Sequence, residues 1–323
     1  MTATLSPVSI FERMRIVFMG TPAAAVPTLE RCLADGHEVV AVWTQPDRPA
    51  GRGNKVTPSP VKEFALAHRL SVHQPVKIRT PESKALFASH EADVVVVVAY
   101  GRILPQEFLT APRRGCINVH FSLLPSYRGA APVNWAIVNG ESITGVTTMF
   151  MVEQLDAGAI LLQHKTEIGP QETAPELMAR LAPMGASLLG ETLTRLTNLT
   201  PIPQREAEAT FAPVLKREDG LIDWSASASQ IERAIRGFQP WPNAHTTFRG
   251  AHLIIWQAEV MNELDGTGFS DGEVIAATSG WLIVKCGGGS SLRLHEIQQE
   301  GKRRMSAQDF LNGAHLEIGE KLG

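Results

Sequence analysis

Asn118 and His120 stand two residues apart in the run Cys116-Ile-Asn-Val-His120, and residues at that spacing on a strand face the same side. An amide that donates and accepts hydrogen bonds is thereby placed beside an imidazole that titrates near neutral pH. Transfer through a tetrahedral oxyanion needs donors of this kind aimed at the developing charge. Asp156 follows one strand and loop later, in Gln154-Leu-Asp-Ala-Gly158. Such a carboxylate can orient the histidine, stabilise its cation or relay a proton from an attacking amine. Each residue also has an ordinary reading. Asn and His at a strand end are often satisfied loop residues, and Asp beside Gly is first of all a turn. No Ser or Cys of the segment has an evident base partner, so no covalent enzyme intermediate is indicated.

The flanking elements predict where these groups sit. Arg15–Met19 is an apolar run ended by Gly20-Thr-Pro22, which reads as a buried strand, a tight turn and a helix running to about Asp35. Val39–Trp43 is a second strand, so the chain opens as a parallel βαβ unit. Asp93–Tyr100, with five consecutive valines, suits a central strand buried on both faces. Gly115–His120 is the next strand. Asn118 and His120 then lie at the carboxyl end of a parallel strand, where open α/β sheets bind ligands. Helices are expected over 61–68, 81–90, 132–139 and 174–196, and strands over 71–73, 144–151 and 159–166. The first turn has Gly20 alone and no GxGxxG, which argues against a nicotinamide-dependent oxidoreductase.

The pattern changes after Thr200-Pro-Ile-Pro-Gln204. A helix over 227–236, short strands over 245–248, 252–260, 272–277, 281–286 and 292–298, and a last helix over 305–312 capped by Ser306 suggest a small barrel or sandwich. The expected organisation is an N-terminal tail (1–13), an α/β domain with a mostly parallel sheet (14–199), a linker (200–212) and a β domain (213–323).

With 323 residues, the chain is comfortable as two domains, and 44% hydrophobic with 20% charged residues is ordinary for a globular protein. Cys32, Cys116 and Cys286 are scattered and form no CxxC pair, against a disulfide framework or a structural zinc site. The first thirteen residues make no convincing signal peptide, and the longest apolar run, Val94–Ala99, is too short to span a bilayer. A cytoplasmic protein is expected, and a monomer. The formal charge of −3 means that any nucleic-acid contact must come from a local basic surface. Gln45–Pro60, QPDRPAGRGNKVTPSP, is one: a long loop whose Arg48, Arg52 and Lys55 either meet phosphates or are simply solvated.

Asn118-Val-His-Phe-Ser-Leu-Leu-Pro125, with Arg128-Gly129 and Asp156-Ala-Gly158, resembles the signature of the formyltetrahydrofolate-dependent formyltransferases. Phe18-Met-Gly-Thr-Pro22, Thr44-Gln-Pro-Asp-Arg-Pro-Ala-Gly-Arg-Gly53, Val97-Val-Ala-Tyr-Gly101, Ile222-Asp-Trp224, Gln239-Pro-Trp-Pro242 and Met305-Ser-Ala-Gln-Asp309 extend the likeness over nearly everything from Met14 onward. It implies a Rossmann-like catalytic domain followed by a C-terminal barrel similar to an OB-fold. It makes Asn118, His120 and Asp156 the catalytic set and has Ser122, Leu123, Leu124 and Pro125 line the folate site. The formyl donor would be 10-formyltetrahydrofolate, with no metal. The Gln45–Pro60 insertion matches the branch of the family that acts on methionyl initiator tRNA, with Arg52 as the reading residue and Arg48 and Lys55 adding charge. Lys216, Arg217, Arg236, Lys302, Arg303 and Arg304 are further candidates for holding tRNA. Phe121 departs from the pattern, where Ala or Gly is usual, and its ring is expected against the folate or the methionyl side chain. A formyltransferase of small amines and a non-catalytic RNA-binding module are the alternatives. The basic loop and second domain argue against the first, and an intact Asn-His-Asp set against the second.

Overall fold

The computed structural model describes residues 12–50, 55–261, 267–278 and 280–323. These fall into two compact units. The first takes in the described residues up to Arg128 together with Gly145–Lys165 and Ala179–Thr210; the second takes in Gly129–Thr144, Thr166–Met178 and Phe211–Gly323. Both are therefore assembled from separated stretches of chain.

The first unit is built on a sheet of β1 (Arg15–Gly20), β2 (Glu38–Trp43), β5 (Val72–His73), β6 (Val94–Val98), β7 (Cys116–His120), β9 (Ile143–Phe150) and β10 (Ile160–Glu167), with β3 (Arg48–Ala50), β4 (Lys55–Thr57) and β8 (Arg128–Gly129) outside it. The spatial order is β10-β9-β7-β6-β1-β2-β5. β1 pairs in parallel with β2 and β6, β2 with β5, and β6 with β7. β9 runs antiparallel to β7, with Ile117 opposite Phe150. All five valines of β6 and all five residues of β7 are buried, as strands covered on both faces must be.

Helices α1 (Val26–Ala34), α2 (Pro60–Ala67), α3 (Pro81–Ala88), α4 (Gln106–Thr110), α5 (Pro132–Val138) and α6 (Ala174–Arg195) follow in chain order. The helix expected from Pro22 begins instead as a 3-10 turn, Ala23–Ala25, before α1. Gly20 at the preceding turn is sterically required. A Cβ there would stand 2.8 Å from Phe18 Cε1 and 2.9 Å from Ala25 Cβ.

Gln45–Pro60 is not wholly a loop. β3 and β4 pair antiparallel within it, Arg48 opposite Thr57 and Pro49 opposite Val56. β-Branched Val56 and Thr57 suit a strand, which the Pro and Gly content of the segment obscured.

The second unit contains β11 (Phe211–Ala212), α7 (Ala228–Gly237), β12 (His245–Phe248), β13 (Ala251–Met261), β14 (Val274–Thr278), β15 (Trp281–Lys285), β16 (Ser291–Gln299), β17 (Met305–Ser306) and α8 (Ala307–Ala314). α5 and Gly129 of β8 also belong to this unit, where β8 and β11 form a small ladder of their own. The main sheet is antiparallel in the order β12-β13-β16-β15-β14, with β17 on β16. Ser227 and Gln230 close a capping box on α7, and Ser306 Oγ accepts from Asp309 N at 3.1 Å to cap α8. Among the described residues, no helix is long and apolar enough to cross a membrane.

Candidate active site

β7 alternates, and the alternation sorts its side chains. Val119 and Phe121 point to the α6 side. A Cβ on Gly185 of α6 would stand 2.8 Å from Val119 Cγ1 and 3.4 Å from Phe121 Cε1, so the glycine leaves room for both. Phe121 is 5% exposed and packs in the interior. The odd step along the chain turns its ring to the face opposite that of His120.

Asn118 and His120 occupy the other face, 8% and 6% exposed. His120 Nε2 lies 2.9 Å from the Tyr127 carbonyl oxygen. A carbonyl only accepts, so Nε2 carries the hydrogen. Nδ1 then faces the Asp156 carboxylate, with Oδ2 at 3.7 Å, within ion-pair range but too long for a hydrogen bond. The Asn118 carboxamide, by contrast, has no hydrogen-bond partner among the described residues, although it is nearly enclosed. Buried amides are ordinarily satisfied. On the same face as His120, the Asn118 amide is a donor available to a ligand.

Asp156 sits on the loop between β9 and β10 with φ at +49°, the left-handed region that Asp tolerates better than most residues. Its side chain is 10% exposed. Two residues on, a Cβ at Gly158 would overlap the Phe150 carbonyl oxygen, so only glycine lets the loop fold back onto the end of β9.

The Ser122–Pro125 turn is anchored by groups that the motif did not reveal. Thr147 Oγ1 donates to the Ser122 carbonyl at 2.6 Å and accepts from Leu124 N at 3.2 Å. Gln163 Nε2 donates to the Leu124 carbonyl at 2.8 Å. Ser122 Oγ donates to the Ser126 carbonyl, and Leu124 is buried with Met149 and Ile160. Leu123 and Pro125 remain partly exposed. Thr147 and Gln163 carry no local signal; the register of β9 and β10 alone brings them here.

The basic loop is pinned at its root. Thr44 Oγ1 and Ser59 Oγ lie 2.8 Å apart, Lys62 Nζ donates to Asp47 Oδ2 at 2.5 Å, and Gln74 Nε2 donates to the Gln45 carbonyl and to Asp47 Oδ1. Hydrogen bonds from Lys62 and Gln74 hold the Asp47 carboxyl below its ordinary pKa. Arg48 is exposed on β3, Lys55 opens β4, and Arg52 lies outside the described residues. In the second unit, Lys216, Arg217, Lys302 and Arg303 are exposed. Arg236 and Arg304 line a cavity of about 790 Å³. Both are paired, Arg236 with Glu232 at 2.6 Å and Arg304 with Glu296, which reduces what they offer a polyanion. All three cysteines are buried, and desolvation pushes each thiol up to about 12, so none is a ready nucleophile. Among the described residues, no cluster of three His, Cys, Asp or Glu has metal-binding geometry.

Residues 14–193 match the model of the formyl transferase family, and residues 214–315 match that of the formyl transferase C-terminal domain. The chain belongs to the formyl transferase family. Two curated relatives named methionyl-tRNA formyltransferase make the likeness finer. That of Geobacter metallireducens is 49% identical over 96% of this chain and 99% of its own length, and that of Solibacter usitatus is 50% identical over the same shares. Among solved structures, an N-formyltransferase of Helicobacter canadensis superposes with a TM-score of 0.65 at 18% identity, covering 88% of this chain and 99% of its own. That likeness is one of fold. Within this formyl transferase, the Asn118–His120 strand end and the Asp156 loop both lie in the stretch matched by the first family model.

Proposed function

We propose that the protein transfers the formyl group of 10-formyltetrahydrofolate to the α-amine of methionine esterified to initiator tRNA. The observation that carries this reading is the pairing of Asn118 and His120 on one buried face of β7 with the Asp156 carboxylate 3.7 Å from His120 Nδ1. The relatives of 49% and 50% identity that bear that activity in their names support it over almost the whole of both chains.

The donor supplies the formyl carbon, which the methionyl amine attacks. Asn118 donates to the oxygen on which charge develops, an interaction worth about 10²–10³ in rate where such donors are removed. His120 Nε2 is held by Tyr127, so Nδ1 is the nitrogen that takes and returns a proton as the new C–N bond forms and the folate nitrogen departs. Asp156 stabilises the imidazolium across the 3.7 Å gap. Ser122-Leu-Leu-Pro125 lines the folate, with Leu123 and Pro125 presenting its apolar faces. Arg52, which follows β3 in the sequence, reads the acceptor end of the tRNA, assisted by Arg48 and Lys55. Residues 213–323, read as an OB-like barrel domain, hold the tRNA body. The protein works as a cytoplasmic monomer in translation initiation.

The test is formylation by the purified protein, given 10-formyltetrahydrofolate and charged initiator or elongator tRNA. Initiator tRNA should be formylated and elongator tRNA hardly, and Arg52→Ala should raise KM for initiator tRNA at least tenfold. Folate binding without formylation of either tRNA would overturn the tRNA assignment and turn attention to small amines.

A further inference from the structure

Arg128 is the largest charged side chain in the interior, its guanidinium wholly shielded from solvent, and the mechanism above gives it no task. Its fork is directed at the 201–210 segment. Nε and Nη2 donate to Gln204 Oε1 at 3.0 and 2.9 Å, and Nη1 donates to both Glu206 carboxylate oxygens at 3.0 and 2.9 Å. Because Arg donates only, it fixes which way the Gln204 amide faces. The opposite end, Nε2, therefore points as a donor at two carbonyls, those of Asp156 and Gly158, at 2.8 Å each. The amide spans the two residues that shape the catalytic loop.

The same stretch of chain holds the histidine. Tyr127, next to Arg128, presents the carbonyl that receives His120 Nε2–H, and is itself held by Thr210 Oγ1 at 2.8 Å. The 201–210 segment reaches this position because Ile202 and Ile160 exchange backbone hydrogen bonds of 2.8 Å at the start of β10. Tyr127 thus fixes His120, and Arg128 fixes Asp156 through Gln204.

From this we infer that Arg128 and Gln204 form a positioning clamp that sets the separation between Asp156 and His120. Neither touches the reacting atoms. The clamp holds a positive-φ loop whose carboxylate stands 3.7 Å from Nδ1, where displacements of about 1 Å change rates by about 10²-fold. The inference rests on the reading of Asp156 as catalytic.

A double-mutant cycle tests it, with kcat and both KM values measured for formyl transfer. Gln204→Met removes the two donations to the loop. Gln204→Glu removes them while keeping an acceptor for Arg128, and so guards against a variant that merely fails to fold. Both should lower kcat about 10–100-fold with KM within twofold of wild type. A general loosening would raise KM as well. In an Asp156→Asn background, itself slower by about 10²-fold or more, Gln204→Met should add less than a twofold loss, because two groups acting through one contact are not additive. Wild-type kcat in both Gln204 variants, a loss shared by KM, or full additivity with Asp156→Asn would overturn the clamp. Wild-type kcat in Asp156→Asn alone would overturn the catalytic reading itself.

Discussion

Asn118 and His120 are carried by a strand buried along its whole length, whereas Arg48 is exposed on β3, in a segment fastened at its root. The two regions belong to one compact unit and meet opposite demands. Stabilising a developing charge requires donors that do not move when charge appears, so the site is mounted on the interior of the sheet and its loops are tied by Thr147, Gln163 and Gln204. In the proposed reading, engaging a nucleic acid requires reach and a charge that can meet phosphate; Arg48 stands in solvent, and the segment is braced by contacts at its root. Under the proposed function, rigidity is placed at the chemistry in one region and behind the recognition surface in the other.

The contrast breaks most plainly at His120. Replacing it with alanine should lower kcat by about 10²–10⁴-fold, the range for a positioned proton-transfer group, while leaving tRNA affinity close to wild type. Single-turnover kinetics and filter binding separate the two. A His120→Ala protein that transfers formyl groups at near wild-type rate would remove the strand-end residues from the mechanism. The next effect is steric. Gly158→Ala forces a methyl into the Phe150 carbonyl, and overpacking of this kind costs about 1–3 kcal/mol. The loop has no slack on its other side, where Gln204 holds it, so the variant should lose transfer activity well beyond its loss of stability. Urea unfolding compared with kcat reads this directly. Equal, small losses in both would mean that the loop is not poised.

How much of this was legible in the sequence differs along the same line. Val94–Val98 announced a central strand by composition, and the two-residue spacing of Asn118 and His120 placed both on one face because strand geometry is local. The same rule, applied one step further, would have turned Phe121 inward. Ser306 was readable as a cap because its partner lies three residues away. Gln204 was not readable. It sits in a Pro-rich stretch that looks like a tether, and its role exists only because Ile202 docks on Ile160 and brings it to a loop 48 residues earlier. The β3–β4 hairpin was hidden for a related reason: Pro and Gly mark breaks in regular structure, and a short edge ladder tolerates both.

The smallest expected effect sharpens the comparison from the recognition side. Asp47 joins the root of the hairpin to α2 through Lys62 and to the segment after β5 through Gln74. Its pKa is depressed, first by the Lys62 hydrogen bond and then by that of Gln74. A carboxyl depressed in the folded state stabilises the fold above its unfolded value, close to the 3.8 of a free Asp, and loses that contribution as pH falls through the lower folded value. Asp47→Asn should therefore shift the urea midpoint slightly at pH 7 and not at all once the pH lies below both values. The pair is solvated, so the shift should also shrink with added salt. In catalysis the variant should keep wild-type kcat and raise KM for tRNA a few-fold, since it loosens the base of the hairpin without touching β7. If Asp47→Asn instead lowered kcat as far as His120→Ala, the root of this segment would have to be counted with the proposed catalytic machinery, and the division between the strand-end site and the exposed β3–β4 segment would fall.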